Sequence, residues 1–166
     1  MANSSTKVFL LEVMGRHAGW LAASAGVIKD DKSMPPHLIL LPEVVFNEKR
    51  FLSKVKKTVS KYGYCVVVAS EGIRDKSNTF IASSTSKDSF GHAHLGGVAP
   101  KLAKIISNEL SYKVHWAVSD YLQRAARHIG SSVDVEQAHA IGYKALEYAK
   151  KGINGVMLTI KRKKTK

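Results

Sequence analysis

Short, continuous apolar runs alternate along this chain with stretches of helical periodicity, and that alternation leaves few folds open to it. Residues 7–13 read KVFLLEV, 37–43 HLILLPE, 64–70 YCVVVAS, 112–118 YKVHWAV and 154–160 NGVMLTI. Runs of this kind suit strands buried on both faces of a parallel sheet, where no polar face needs to alternate with an apolar one. Between them, residues 18–28 are alanine-rich and helical in character. Residues 47–63 place Leu52, Val55 and Val59 on one stripe between an Asn47 cap and Gly63. Pro100 opens a helix with Leu102, Ile105, Ile106 and Leu110 on one face. Residues 131–152 begin with a capping signal at Ser131 and Asp134 and turn Ala138, Ile141, Ala145 and Ala149 inward, stopping at Gly152. The pattern predicts an α/β fold: a mostly parallel sheet with helices on both faces, three layers deep, joined by right-handed crossovers. Residues 1–160 are expected to form this domain, with the polar, serine- and threonine-rich stretch 75–98 as a loop or insertion and 161–166 as a basic tail. No internal repeat is found.

The charge balance bounds the partners. Among 166 residues, 26 are basic and 13 acidic, a net charge of +13 that suits an anionic partner: nucleic acid, a membrane surface or a phosphorylated small molecule. The excess is concentrated in the tail KRKKTK and on the outer face of the helix at 47–63, at Lys49, Arg50, Lys54, Lys56, Lys57 and Lys61. Such a tail is ordinarily solvated, and such a face also serves solubility. Aromatic residues make up 8% and do not interleave with the basic ones as base-stacking platforms do, so nucleic acid is not the expected partner. No apolar run approaches the ~20 residues of a membrane span. The first residues, MANSSTK, lack the apolar region of a secretory signal. The single cysteine, Cys65, lies inside an apolar run and reads as a buried structural thiol, which fits a reducing, cytoplasmic setting.

In open parallel sheets, ligands bind at the carboxyl ends of the strands. Three of those ends carry polar and charged groups, each including an arginine. The first run ends in MGRHAGW, where Gly15 permits close backbone approach, the amides of Gly15 and Arg16 are expected at a helix start, and Arg16 offers a planar fork for phosphate oxygens. His17 and Trp20 are expected to pack. The third run ends in SEGIRD, where Glu71 follows a buried strand and would accept hydrogen bonds from sugar hydroxyls, pair with Arg74 or cap the next element. The fourth leads into SDYLQRAARH, where Tyr121 and Arg124 stand three residues apart: if a turn or helix begins there the two share a face and a phenol and a guanidinium can clamp one phosphate, and the alternative reading is simply the basic start of a helix. The alternating His92 and His94 of FGHAHLGG are weak as metal ligands, and no metal site is expected. LGGVAP lacks the Gly-Lys-Ser/Thr ending of a phosphate-binding loop. No Ser/His/Asp or Cys/His constellation stands out.

Taken together, these three motifs resemble the phosphofructokinase family, in order and over nearly the whole chain. EVMGRHAGW resembles the family's fructose 6-phosphate signature, SEG the segment whose glutamate contacts the sugar, and KVHWAVSDYLQRAARH the sugar-phosphate clamp in the form typical of the pyrophosphate-dependent branch. The resemblance implies that Met14, Gly15, Arg16, Glu71, Tyr121, Leu122, Gln123 and Arg124 bind fructose 6-phosphate. It implies a parent reaction in glycolysis, the transfer of a phosphoryl group from pyrophosphate to fructose 6-phosphate with Mg²⁺. The family's Gly-Gly-Asp donor loop and its Thr-Ile-Asp-Asn-Asp segment, which holds the catalytic base, do not occur in this sequence. The chain is therefore expected to be the sugar-phosphate-binding portion, without catalytic residues or Mg²⁺ ligands of its own and inactive by itself. Its expected partners are fructose 6-phosphate, a phosphoryl-donor domain absent from this chain, and further copies in a homo-oligomeric parent enzyme. The alternative is a free-standing, non-catalytic module binding an anion, either a sugar phosphate or RNA.

Overall fold

The computed structural model describes residues 6–27, 31, 33–87 and 93–161, and the chain divides into two compact units, Met1–Gln123 and Arg124–Lys166. In the first unit, strands β1 (Val8–Val13), β2 (Leu38–Leu40), β3 (Cys65–Ser70) and β6 (Val114–Val118) form one parallel sheet in the order β2-β3-β1-β6. Register aligns Val13 with Ser70 and Glu12 with Val118, so the carboxyl ends of β3, β1 and β6 lie side by side. The parallel sheet and its flanking helices agree with the α/β expectation.

Helix α1 (Trp20–Ser24) lies between β1 and β2, α2 (Glu48–Tyr62) between β2 and β3, and α3 (Val98–Leu110) between β3 and β6. The path from β1 to β2 moves along the sheet in the opposite direction from the next two connections. Right-handed crossovers then send α1 to one face and α2 with α3 to the other. The cores follow that division. Val8, Leu10, Cys65 and Val67 pack with Phe51, Val55 and Val59 of α2 and with Leu102 and Ile106 of α3, whereas Val13 and Val68 pack with Ala22 of α1.

Helix α2 follows its sequence signals closely. The Asn47 side chain accepts from the Arg50 amide at 2.9 Å, and Gly63 ends the helix at φ +83°, a conformation that glycine adopts without steric cost. Helix α1 is shorter than residues 18–28 suggested, and Trp20, expected to pack, is 83% exposed: this brief helix turns Ala22, not Trp20, toward the sheet. The stretch 75–98 is not all loop. It contains strands β4 (Ser83–Lys87) and β5 (Ala93–Leu95), paired antiparallel. His92 lies outside the described residues, as do residues 162–166 of the tail.

The second unit contains the end of a four-residue helix α4 (Leu122–Ala125), a 3₁₀ turn at Arg127–Ile129 and α5 (Ser132–Lys150). Ser131 caps α5 as predicted, accepting from the Asp134 amide at 3.3 Å. The inward stripe predicted for α5 is not buried: Ala138, Ala145 and Ala149 are exposed and Ile141 is half-buried. The strand predicted at 154–160 is not formed either. These residues run without a ladder partner, and Met157 is exposed.

Candidate functional site

The turn leaving β1 is where the three motif-bearing strand ends meet in the first unit. Its backbone is held by side chains from the other two ends. The Met14 amide donates to Gln123 Oε1 at 2.8 Å, the Gly15 amide to Glu71 Oε1 at 3.1 Å, and the Ser70 hydroxyl to the Gly15 carbonyl at 2.6 Å. The Val13 carbonyl accepts from the Glu71 amide at 2.9 Å, continuing the β1–β3 ladder by one residue. The Ser119 amide donates to the Glu12 carbonyl at 3.1 Å and extends the β1–β6 ladder in the same way.

Two glycines make this meeting possible. Gly15 has φ +137°, and a β-carbon there would lie 2.6 Å from the Ala18 carbonyl oxygen. A β-carbon on Gly72 would lie 2.0 Å from the Arg16 carbonyl oxygen, so the SEG and MGR backbones touch where only hydrogen fits. The helix expected to start at Gly15 and Arg16 begins instead at Trp20, with Gly19 as its cap, and the Gly19 amide donates to Glu43 Oε1 at 2.7 Å. The Gly15 amide is thus a carboxylate's partner, not the first amide of a helix.

Glu71 takes neither of the neighbouring partners proposed for it. Its carboxylate holds the Gly15 backbone, while Arg74 stacks over Phe80 at 4.2 Å and donates to Asn78 Oδ1 at 2.8 Å and to His17 Nδ1 at 2.7 Å. A guanidinium only donates, so His17 accepts at Nδ1 and carries its proton at Nε2. This contact fixes an exposed histidine beside Arg16 without burying it. Asp120, at φ +40°, starts the turn after β6, which leaves Tyr121 66% and Leu122 72% exposed and directs Gln123 back to Met14. Arg124 opens the second unit.

Sequence reasoning missed Glu12. It is 1% exposed near the carboxyl end of β1, and its two carboxylate oxygens accept from the Gly97 amide at 3.0 Å and the Ala99 amide at 2.8 Å, at the start of α3. Burial pushes its carboxyl above the usual range, the Ala99 and Gly97 amides pull the other way, and the Glu71 carboxylate adds to the upward push. The signal was present in the sequence as an acidic residue inside an apolar strand, where a carboxylate must find donors. Ser70, fully buried beside Glu71, was missed as well.

Chemically, the turn is a hydrogen-bonded backbone with carboxylate, carboxamide and hydroxyl groups around it, with Arg16 in the turn itself and Arg74 bonded to the neighbouring His17. That is equipment for binding a polar, anionic molecule. Among the described residues no three His, Cys, Asp or Glu side chains cluster to hold a metal ion. A cavity of about 270 Å³ beside β2 and α2, lined by Leu38, Leu40, Val44, Phe46, Phe51 and Ile73 among others, includes none of the turn's residues and is mostly apolar in its lining.

Comparison with known proteins gives this geometry a context. Residues 1–149 match the family model described as phosphofructokinase. The chain is 54% identical over 162 residues to the pyrophosphate–fructose 6-phosphate 1-phosphotransferase of Halomonas elongata and 56% identical over 162 residues to that of Methylococcus capsulatus, in each case across 98% of this chain and 39% of the relative. It therefore spans well under half the length of the curated relatives it matches. Among solved structures, the pyrophosphate-dependent phosphofructokinase of Marinobacter aquaeolei is similar with a TM-score of 0.73 and 51% identity, over 92% of this chain and 34% of that one.

Proposed function

This chain belongs to the phosphofructokinase family, and we propose that it is the fructose 6-phosphate-binding portion of a pyrophosphate-dependent 6-phosphofructokinase. The observation that carries the reading is the convergence of the MGR, SEG and YLQ segments at one hydrogen-bonded turn, in a chain whose 54–56% identical relatives carry the name of that activity. The parent enzyme would transfer a phosphoryl group reversibly from pyrophosphate to fructose 6-phosphate, giving fructose 1,6-bisphosphate and phosphate in glycolysis. Mg²⁺ would neutralise the transferring phosphoryl group there, held by residues that this chain does not offer.

Within this reading, Arg16 and Arg124 bind the 6-phosphate with Tyr121, and planar forks suit its oxygens. Glu71 accepts from sugar hydroxyls while keeping the Gly15 amide, since a carboxylate has room for several donors. Met14, Gly15, Leu122 and Gln123 form the wall against which the sugar lies. None of these residues acts as base or nucleophile: phosphoryl transfer needs donor, metal and base in place together, so the 166 residues alone bind without turning over. Assembly with a donor domain and with further copies of the parent chain completes the enzyme. The setting is cytoplasmic, in keeping with a single buried thiol.

Arg16→Ala and Arg124→Ala test the assignment. Both weaken fructose 6-phosphate binding, read by isothermal titration, with the melting temperature kept. Unchanged binding in both variants would remove the proposed site.

A further inference from the structure

We infer that Ser70 is a positioning residue of the sugar-phosphate site: its buried hydroxyl fixes the Gly15–Arg16 peptide and so sets the direction in which Arg16 leaves the turn before any ligand arrives. The inference rests on the reading of this turn as the sugar-phosphate site. Three successive peptide units are held in turn. The unit between Val13 and Met14 is bonded at both ends, its carbonyl accepting from the Glu71 amide at 2.9 Å and its N–H donating to Gln123 Oε1 at 2.8 Å. The next unit gives its N–H to Glu71 Oε1 at 3.1 Å. The third, between Gly15 and Arg16, has its carbonyl bonded by Ser70 Oγ at 2.6 Å. A peptide is planar and trans, so fixing the carbonyl fixes the plane and with it the Arg16 amide on the opposite side.

Gly15 is the residue type least able to hold a conformation by itself. Of the three side chains that hold the turn, Ser70 is 0% exposed, whereas Glu71 and Gln123 are half-buried. Its oxygen also accepts from the Gly72 amide at 3.2 Å, which directs the hydroxyl hydrogen to Gly15. The contact of Gly72 with the Arg16 carbonyl brings the two backbones together at the same place. Removing the hydroxyl leaves the Gly15 carbonyl and the Gly72 amide without this partner, and the ligand must then order the turn as it binds.

The test uses the full chain as wild type, Ser70→Ala, Ser70→Thr and, as a control, Val59→Ala in the core under α2. Titration with fructose 6-phosphate is combined with hydrogen exchange at the Met14 and Gly15 amides of the ligand-free chain. Ser70→Ala is expected to bind about tenfold more weakly, the scale of one lost hydrogen bond, and to exchange both amides about tenfold faster. Ser70→Thr keeps the hydroxyl and restores both. Val59→Ala lowers the melting temperature and moves neither. Unchanged exchange in Ser70→Ala, or equal changes in Val59→Ala, would overturn the role. If the wild-type chain does not bind fructose 6-phosphate, the functional reading fails, while the exchange comparison still decides what Ser70 does.

Discussion

A β-carbon at Gly72 would lie 2.0 Å from the Arg16 carbonyl oxygen, so a single methyl group must drive two strand ends apart. Gly72→Ala is expected to cost about 3 kcal/mol in urea unfolding, at the upper end of what overpacking costs. Arg16→Ala should behave in the opposite way. It removes a charged donor from the proposed site and leaves the packing alone, so binding of fructose 6-phosphate falls about tenfold to a hundredfold while stability stays within about 1 kcal/mol. Titration and urea curves of the two variants separate a residue that builds the site from one that uses it. At this scale the sequence pointed to the residues with distinctive chemistry. The structure brings Met14, Gly15, Glu71 and Gln123 into one hydrogen-bonded group, with Arg16 next in the turn. Ser70 escaped notice because its importance lies in a backbone partner 55 residues away, which leaves no local pattern, whereas Glu12 did leave one, a carboxylate inside an apolar run, but not the identity of its donors at Gly97 and Ala99.

At the scale of elements, Glu12 links β1 to the start of α3, and its charge makes that link depend on pH. Its carboxyl titrates above the ordinary 4.5 in the folded chain, mainly because it is buried. The folded state therefore binds this proton more tightly than the unfolded state does. The resulting stability is fully present below about pH 4.5 and is lost as pH rises through the folded value. Glu12→Gln should flatten that dependence, so that the difference in unfolding free energy between wild type and variant narrows as pH rises from 4.5. The carboxamide sets an NH₂ donor, which cannot accept, against one of the two amides that the carboxyl oxygens receive, so the variant should also lose about 1–3 kcal/mol in acid. A constant difference across the range would show that Glu12 does not titrate in this window. In α2, Asn47→Ala should cost about 1 kcal/mol, read by thermal or urea unfolding. Helix α2 was legible from end to end because its cap, apolar stripe and terminal glycine all act locally. The stripe expected inside α5 and the strand expected at 154–160 were not, because apolar periodicity marks a face able to be buried without supplying what covers it.

For the whole molecule, the parallel sheet was legible from the alternation of elements, but the order β2-β3-β1-β6 was not, because alternation does not say which connection reverses direction along the sheet. That order explains why residues as far apart in sequence as Met14, Glu71 and Gln123 meet. Cys65, the first residue of β3, fully buried and with its thiol pushed up to about 12 by that burial, reports on the integrity of this sheet. A thiol reagent at pH 8 should label it only at the rate of global unfolding, because the thiol is fully buried in the native chain and burial also holds it protonated; fast labelling of the native chain would show that β3 opens locally. The central claim, that this chain forms a sugar-phosphate site, is tested most directly by isothermal titration of fructose 6-phosphate into the purified wild-type chain at low and moderate salt, with glucose 6-phosphate and inorganic phosphate as controls. The account predicts saturable binding that prefers the fructose ester and weakens with salt, as expected for a dianion held by arginines on a chain of net charge +13. A folded chain that binds none of the three, or binds fructose 6-phosphate no better than phosphate, would contradict it.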